Sequence, residues 1–165
     1  MEVSIVQRDL EHLDQLDSDT LLLFLPEDDG PLVGLAGLVD WRLTGRLSRY
    51  LVRGWLSGEK GEKLLMPSHG RVPVDRLVGV GIGKPDALTM DSIEELASLA
   101  GRTLADARSA AAACAVPGEP EAPEEMKKAF SRLRKGLSRH FQGRLVVLGD
   151  TKILREALTE SIQSG

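Results

Sequence analysis

Cysteine and aromatic side chains are scarce: one Cys, one Tyr, two Trp and three Phe in 165 residues. A single Cys114 excludes an internal disulfide and any multi-cysteine metal cluster, and fits a reducing compartment. Its alanine neighbours suit a buried spectator rather than a nucleophile. Few aromatics leave no stacking platform for nucleic-acid bases, and there is no basic excess to compensate. Twenty-one Lys and Arg stand against 25 Asp and Glu, a net charge of −4, so nucleic acid is not an expected partner. The start, Met1-Glu2-Val3-Ser4-Ile5, lacks the basic and apolar regions of a signal peptide. No apolar run approaches the roughly 20 residues of a membrane helix, so the expected compartment is the cytoplasm.

Recognisable catalytic motifs are missing too. His12, His69 and His140 lie in separate segments and none opens a His-Glu-x-x-His helix. No Gly-x-Ser-x-Gly elbow exists. The acid pairs Asp28-Asp29, Glu94-Glu95 and Glu124-Glu125 sit in turns or first helical turns, where capping accounts for them. The sequence therefore supplies no catalytic residue, metal set or cofactor.

What is present is ordinary globular material, 42% hydrophobic and 28% charged, and the length suits one domain over residues 1–165. Such a chain buries roughly 70% of its unfolded surface. Val3–Gln7 and the continuous apolar run Thr20–Leu25 read as strands, with a turn or short helix over Asp9–Leu16. Leu35, Leu38, Leu43, Leu47, Tyr50 and Leu51 keep helical spacing, weakened at Gly45, so one bent helix or two short ones fit. Glu62–Pro67 and Asp75–Gly83 read as a closely joined strand pair. A helix capped by Asp91 or Ser92 follows. Ala111–Val116 is ambiguous but inclines to strand. After the acidic linker Glu119–Pro123, Met126, Phe130, Leu133, Leu137 and Phe141 line an amphipathic helix. Gly143–Leu148 is a strand, and Asp150 caps a last helix. Strands alternating with helices predict an α/β fold, a mixed sheet with helices on both faces.

Two features suggest contacts. Gly79, Gly81 and Gly83, followed by Lys84, bare one face of a strand end, so a helix, a ligand or other backbone must approach it closely. Residues 85–89 intervene before the next helix, so this is neither a dinucleotide fingerprint nor a P-loop, and tight packing is favoured over phosphate contact. Arg42, Arg46, Arg49 and Arg53, spaced four, three and four, would share one helix face, solvated or facing a partner. A second basic region, Lys127, Lys128, Arg132, Arg134, Lys135, Arg139 and Arg144, has Glu119, Glu121, Glu124 and Glu125 just before it as candidate neutralising acids.

In order, the segments resemble the amino-terminal domain of the leucine (cytosol) aminopeptidases over about residues 20–108. The carrying residues are Asp40, Trp55-Leu56-Ser57-Gly58-Glu59-Lys60-Gly61-Glu62, Leu64–Pro67, Val78 to Gly81-Ile82-Gly83-Lys84, and the helix with Leu96, Ala97, Ala100 and Leu104. The resemblance implies a macro-domain-like fold, while the family's metal-binding catalytic machinery belongs to a separate carboxy-terminal domain with no counterpart here. It also implies a non-catalytic role in oligomer assembly, self-association or regulation of a peptidase, with the Arg series as surface. Macro-type binding of a nucleotide or ADP-ribose is the alternative, though no Gly-Gly-Gly phosphate loop is found. Met1 and the polar end Ser161–Gly165 are what a complete small protein is expected to show; a fragment of a metallo-aminopeptidase is the other possibility.

Overall fold

A computed structural model describes residues 1–164. The strands are β1 (Glu2–Gln7), β2 (Thr20–Pro26), β3 (Lys63–Pro67), β4 (Arg76–Gly83), β5 (Ala111–Cys114) and β6 (Arg144–Gly149). The helices are α1 (Leu10–Asp14), α2 (Gly34–Arg42), α3 (Arg46–Val52), α4 (Met90–Asp106), α5 (Pro123–Ser138) and α6 (Thr151–Ser164), with one 3₁₀ turn at Pro85–Ala87. All six strands form one sheet in the order β1-β6-β5-β2-β4-β3. Only β3 runs antiparallel to its neighbour, with Leu65 opposite Val78. The rest is parallel: Glu2 pairs with Arg144 and Leu21 with Leu77.

Central β2 is buried on both faces, which is why its sequence is apolar without alternation. Leu22, Val78, Val80, Ala112, Leu145 and Val147 point to the face covered by α4, α5 and α6. Leu21, Leu23, Leu25, Leu77 and Leu148 point to the other, covered by α1, α2 and α3. The alanines of β5 form a strand because parallel pairing on both sides holds them, with Ala112 opposite Thr20 and Leu145. Small residues there let helices sit close on either side.

On the first face, α4 and α5 meet backbone to backbone. A Cβ on Gly101 would lie 2.7 Å from the Leu137 carbonyl, and one on Gly136 would lie 2.4 Å from that of Glu94. The cap of α4 differs from the sequence expectation: Thr89, not Asp91 or Ser92, accepts a hydrogen bond from the Ser92 N–H at 3.1 Å. Asp150 caps α6 by accepting from the Lys152 and Ile153 N–H groups. On the second face, the Leu35–Gly54 stretch resolves into two short helices. Thr44 and Gly45 take left-handed φ of 56° and 80°, and the buried Asp40 carboxylate accepts from the N–H of Leu47 at 2.8 Å, capping α3.

Candidate functional site

The carboxyl end of β4 is filled by the chain's own turn. Gly81 donates its N–H to the Glu62 carbonyl at 2.7 Å and accepts from Gly61 N–H at 2.9 Å, while Gly83 N–H reaches the Gly58 carbonyl at 2.9 Å. A Cβ on Gly81 would stand 2.0 Å from the Glu59 carbonyl oxygen. Gly79 meets the side chains of Leu25 and Leu64 instead. The backbone that approaches these glycines is thus residues 58–62, and Lys84 beyond them is exposed. Glu62 holds the turn by accepting from Ser57 N–H at 2.9 Å and Gly58 N–H at 3.0 Å. Burial would raise its pKa, but these amides and the Ser57 hydroxyl outweigh it and hold the carboxyl below the usual range.

The four arginines do not form one stripe, because the helix breaks between the first and second. Arg42 closes α2 and makes a two-pronged bond to Asp14, at 2.9 and 2.6 Å. Arg49 donates to the Thr44 carbonyl at 2.6 Å, so it braces the break itself. Arg53 lies over the Trp55 ring, 5.1 Å from its centroid. Arg46, at the start of α3, is half-buried.

Most of the second basic region pairs with acids other than the four preceding ones. Arg132, Lys135 and Arg139 surround Glu94, Arg132 also reaches Asp91 at 2.8 Å, and Lys127 meets Glu156 and Glu160. Burial would raise the Glu94 pKa, yet Lys135 and Arg139 win and lower it. Cys114 has no accessible chemistry: burial, helped by Glu119, pushes its thiol up to about 12.

Glu119 has left the expected basic-helix neighbourhood for the carboxyl ends of the strands, where open α/β sheets bind ligands. It has a left-handed φ of 41° in the turn after β5. Its carboxylate accepts from Arg8 at 2.6 Å and from Leu35 N–H at 3.1 Å. The N-cap position of α2 is Val33, whose side chain cannot cap, so a carboxylate 84 residues away does so. On one side of this pair lies a cleft of about 410 Å³ lined by Phe24, Pro26, Val33 and Gly34. On the other lies one of about 280 Å³ lined by Gln7, Met126, Leu148 and Asp150. Arg8, Glu119 and Glu121 wall both.

Among the described residues no three His, Cys, Asp or Glu side chains come together to hold an ion. Among them, too, no helix is long and apolar enough to cross a membrane.

Comparison with known proteins agrees with this architecture. The profile of the cytosol aminopeptidase family, N-terminal domain, matches residues 21–139. A protein of Corynebacterium diphtheriae named "Probable cytosol aminopeptidase" is 34% identical over 99 residues, which are 58% of this chain and 20% of the relative. The chain therefore spans about a fifth of that relative's length. A tomato leucine aminopeptidase in mutant form superposes with a TM-score of 0.66 at 18% identity, covering 98% of this chain and 35% of the other. The Oceanobacillus iheyensis macrodomain with ADP superposes with a TM-score of 0.69 at 14% identity, covering 99% of this chain and 93% of the other. These likenesses establish a macro-like fold, and with 119 of its 165 residues matched by one profile, the chain belongs to the cytosol aminopeptidase family by its N-terminal domain.

Proposed function

We propose that this domain is a non-catalytic protein-contact module, acting in self-association or in docking to and regulating a peptidase, in the cytoplasm. The observation that carries the reading is α2. Its sequence, Gly34-Leu-Ala-Gly-Leu-Val-Asp-Trp-Arg42, is apolar apart from Asp40 and Arg42, which are engaged within the chain, yet one side faces solvent. Val33, just before the helix, and Trp41, near its end, are 73% and 72% exposed. A shallow concavity of about 560 Å³ lies beside Trp41, Thr44 and Gly45. Val52 and Trp55, at 88% and 68% exposure, carry the apolar character past α3. Arg46 and Arg53 supply charge at this surface, whereas Arg42 and Arg49 are engaged within the chain.

Light scattering on the purified protein tests the reading. A mass that is a multiple of 17.9 kDa is expected, falling toward the single-chain value in Trp41→Glu and in Arg46→Glu plus Arg53→Glu. A wild type that stays single at high concentration and ignores a partner peptidase domain would remove the proposal.

The second reading is macro-type binding of a nucleotide or ADP-ribose. The fold likeness to an ADP-bound macrodomain favours it. Titration with ADP-ribose separates the two readings, because a ligand that binds the native state raises the thermal midpoint by mass action.

A further inference from the structure

The sheet ends at two edges, β1 and β3, and they are built differently. In β3, the Gly81 N–H reaches the Glu62 carbonyl and the Ser68 N–H reaches the Asp75 carbonyl, so even-numbered residues bond β4 while Lys63, Leu65 and Pro67 turn their backbone groups outward. Pro67 has no N–H to offer and Lys63 adds a charge, two devices that blunt an edge. In β1, the N–H groups of Glu2 and Arg8 reach the carbonyls of Gly143 and Gly149, so even-numbered residues bond β6 while Val3, Ile5 and Gln7 turn outward. None of the three is proline or charged, and the register with β6 is unbroken, so each leaves an N–H and a C=O on the free edge. α6 covers one face of β1, while on the other face Glu2 and Ser4 are exposed.

We infer that β1 is the pairing edge for a second copy of this chain, the two strands running antiparallel about a two-fold axis at Ile5, so that two sheets join into one. The strand's own order of residues selects that partner and that register. With Ile5 opposite Ile5, Val3 of each copy meets Gln7 of the other, so every outward N–H finds a carbonyl, about six hydrogen bonds in all. Between these pairs Ser4 stands opposite Val6, and Glu2 opposite Arg8, an opposite-charge pair that the symmetry makes at both ends. Glu2 is exposed, and Arg8, bound to Glu119 through Nη1, keeps 40% of its side chain in solvent. A slip of two residues either way separates Glu2 from Arg8 and leaves outward groups unmatched. α6 adds a second strip, because it lies between α5 and this edge. Glu156 and Glu160 face Lys127 of α5, and at about 100° per residue Arg155 and Ile162 fall on the flank away from them. Ile162 is 71% exposed there, beside the place that α6 of the second copy takes. This surface is not that of α2, and the pairing stands whether or not α2 docks anything.

Disulfide trapping reads the register directly. A mixture of Ser4→Cys chains and Val6→Cys chains, mildly oxidised, is expected to give a cross-linked dimer, because directly opposite residues bring their Cβ atoms within about 5.5 Å. Either variant alone should give about ten-fold less, since like positions then sit diagonally at about 7–8 Å. Cys114 stays out of the reaction, buried and with its thiol pushed up to about 12. Gln7→Pro removes an outward donor and no bond to β6, as Pro67 does on β3, and should weaken dimerisation at least about ten-fold in sedimentation between about 10 μM and 1 mM. In the wild type, the amides of Val3, Ile5 and Gln7 should exchange more slowly as concentration rises, while that of Ser4, bonded to β6, should not change. No cross-linked dimer in the mixture overturns the inference, as does an equal yield from one variant alone, or exchange at Val3, Ile5 and Gln7 that ignores concentration. The last two measurements need no proline, so a Gln7→Pro chain that fails to fold does not shelter the inference. Trp41→Glu separates this from the α2 reading: it should leave the cross-link unchanged, and an assembly that Trp41→Glu dissolves but Gln7→Pro does not touch belongs to α2 and overturns the strand pairing.

Discussion

The helices on one face of the sheet, α4, α5 and α6, pack tightly, α5 on both α4 and α6, whereas on the other face α1, α2 and α3 meet each other and the strands only lightly. The first set is long and amphipathic, with glycines where helix backbones meet and its surface cations bound to Asp91, Glu94, Glu156 and Glu160. The second set is short, has an apolar helix open on one side, and leaves two tryptophans in solvent. Both faces bury aliphatic side chains well, so the difference lies in their outer surfaces. One face is closed by its own helices, while the other leaves large apolar side chains in solvent.

The comparison can be broken most forcefully at Phe130, fully buried under α5. Phe130→Ala should cost about 4 kcal/mol of stability, measured as a lower urea midpoint at unchanged slope; a loss below about 1 kcal/mol would mean that this face is not the packed one. Gly136→Ala sharpens the point about close approach. Helix propensity favours alanine by about 1 kcal/mol, yet contact with the Glu94 carbonyl and the Ala97 Cβ should turn this into a net loss of about 2 kcal/mol.

Asp19 ties the two halves of the sheet, accepting from Ala110 and Ala111 N–H, the Ser109 and Thr20 hydroxyls and Arg76. Asp19→Ala should cost about 1–2 kcal/mol at neutral pH. Burial would raise the Asp19 pKa, but the hydroxyls of Ser109 and Thr20 and the two amides outweigh it and depress it below 3.8. Its contribution is therefore complete above that value and disappears as the pH falls through the depressed one. Acid titration of stability should accordingly be shallower in Asp19→Ala than in wild type below about pH 4. The smallest effect is expected on the open face: Trp41→Ser should change the stability measured by urea unfolding by less than about 0.5 kcal/mol while altering association.

Five of the six strands and the principal helices are readable from period and punctuation, and the break at Gly45 is visible as a weakened helical run. The start of α4 is not, because Thr89, Asp91 and Ser92 all offer capping oxygens and only the three-dimensional path of the chain chooses among them. The strand Ala111–Cys114 is ambiguous in isolation, since alanine favours helix and its strand state comes from neighbours on both sides. The arginine series carries a true spacing, but the spacing presumes an unbroken helix. Glu119 is the clearest omission. In sequence it belongs to an acidic linker, and nothing local brings it to Arg8 or Leu35. A signal existed at the other end: Pro31-Leu32-Val33-Gly34 opens a helix without a capping residue, so an acceptor had to come from elsewhere.

The strand order also sets a timetable for synthesis. β1 pairs along its whole length with β6, so Glu2 waits for Arg144, and the amino terminus is held by Gln142 at 3.3 Å. At about 5–20 residues per second, β1 leaves the ribosome roughly 10–30 s before its partner. β2, β3 and β4 can join meanwhile, because Thr20 to Gly83 includes all three. Until β6 arrives, β1 is an unpaired strand on a nascent chain, a period in which a chaperone or a neighbouring nascent chain competes for the same hydrogen bonds.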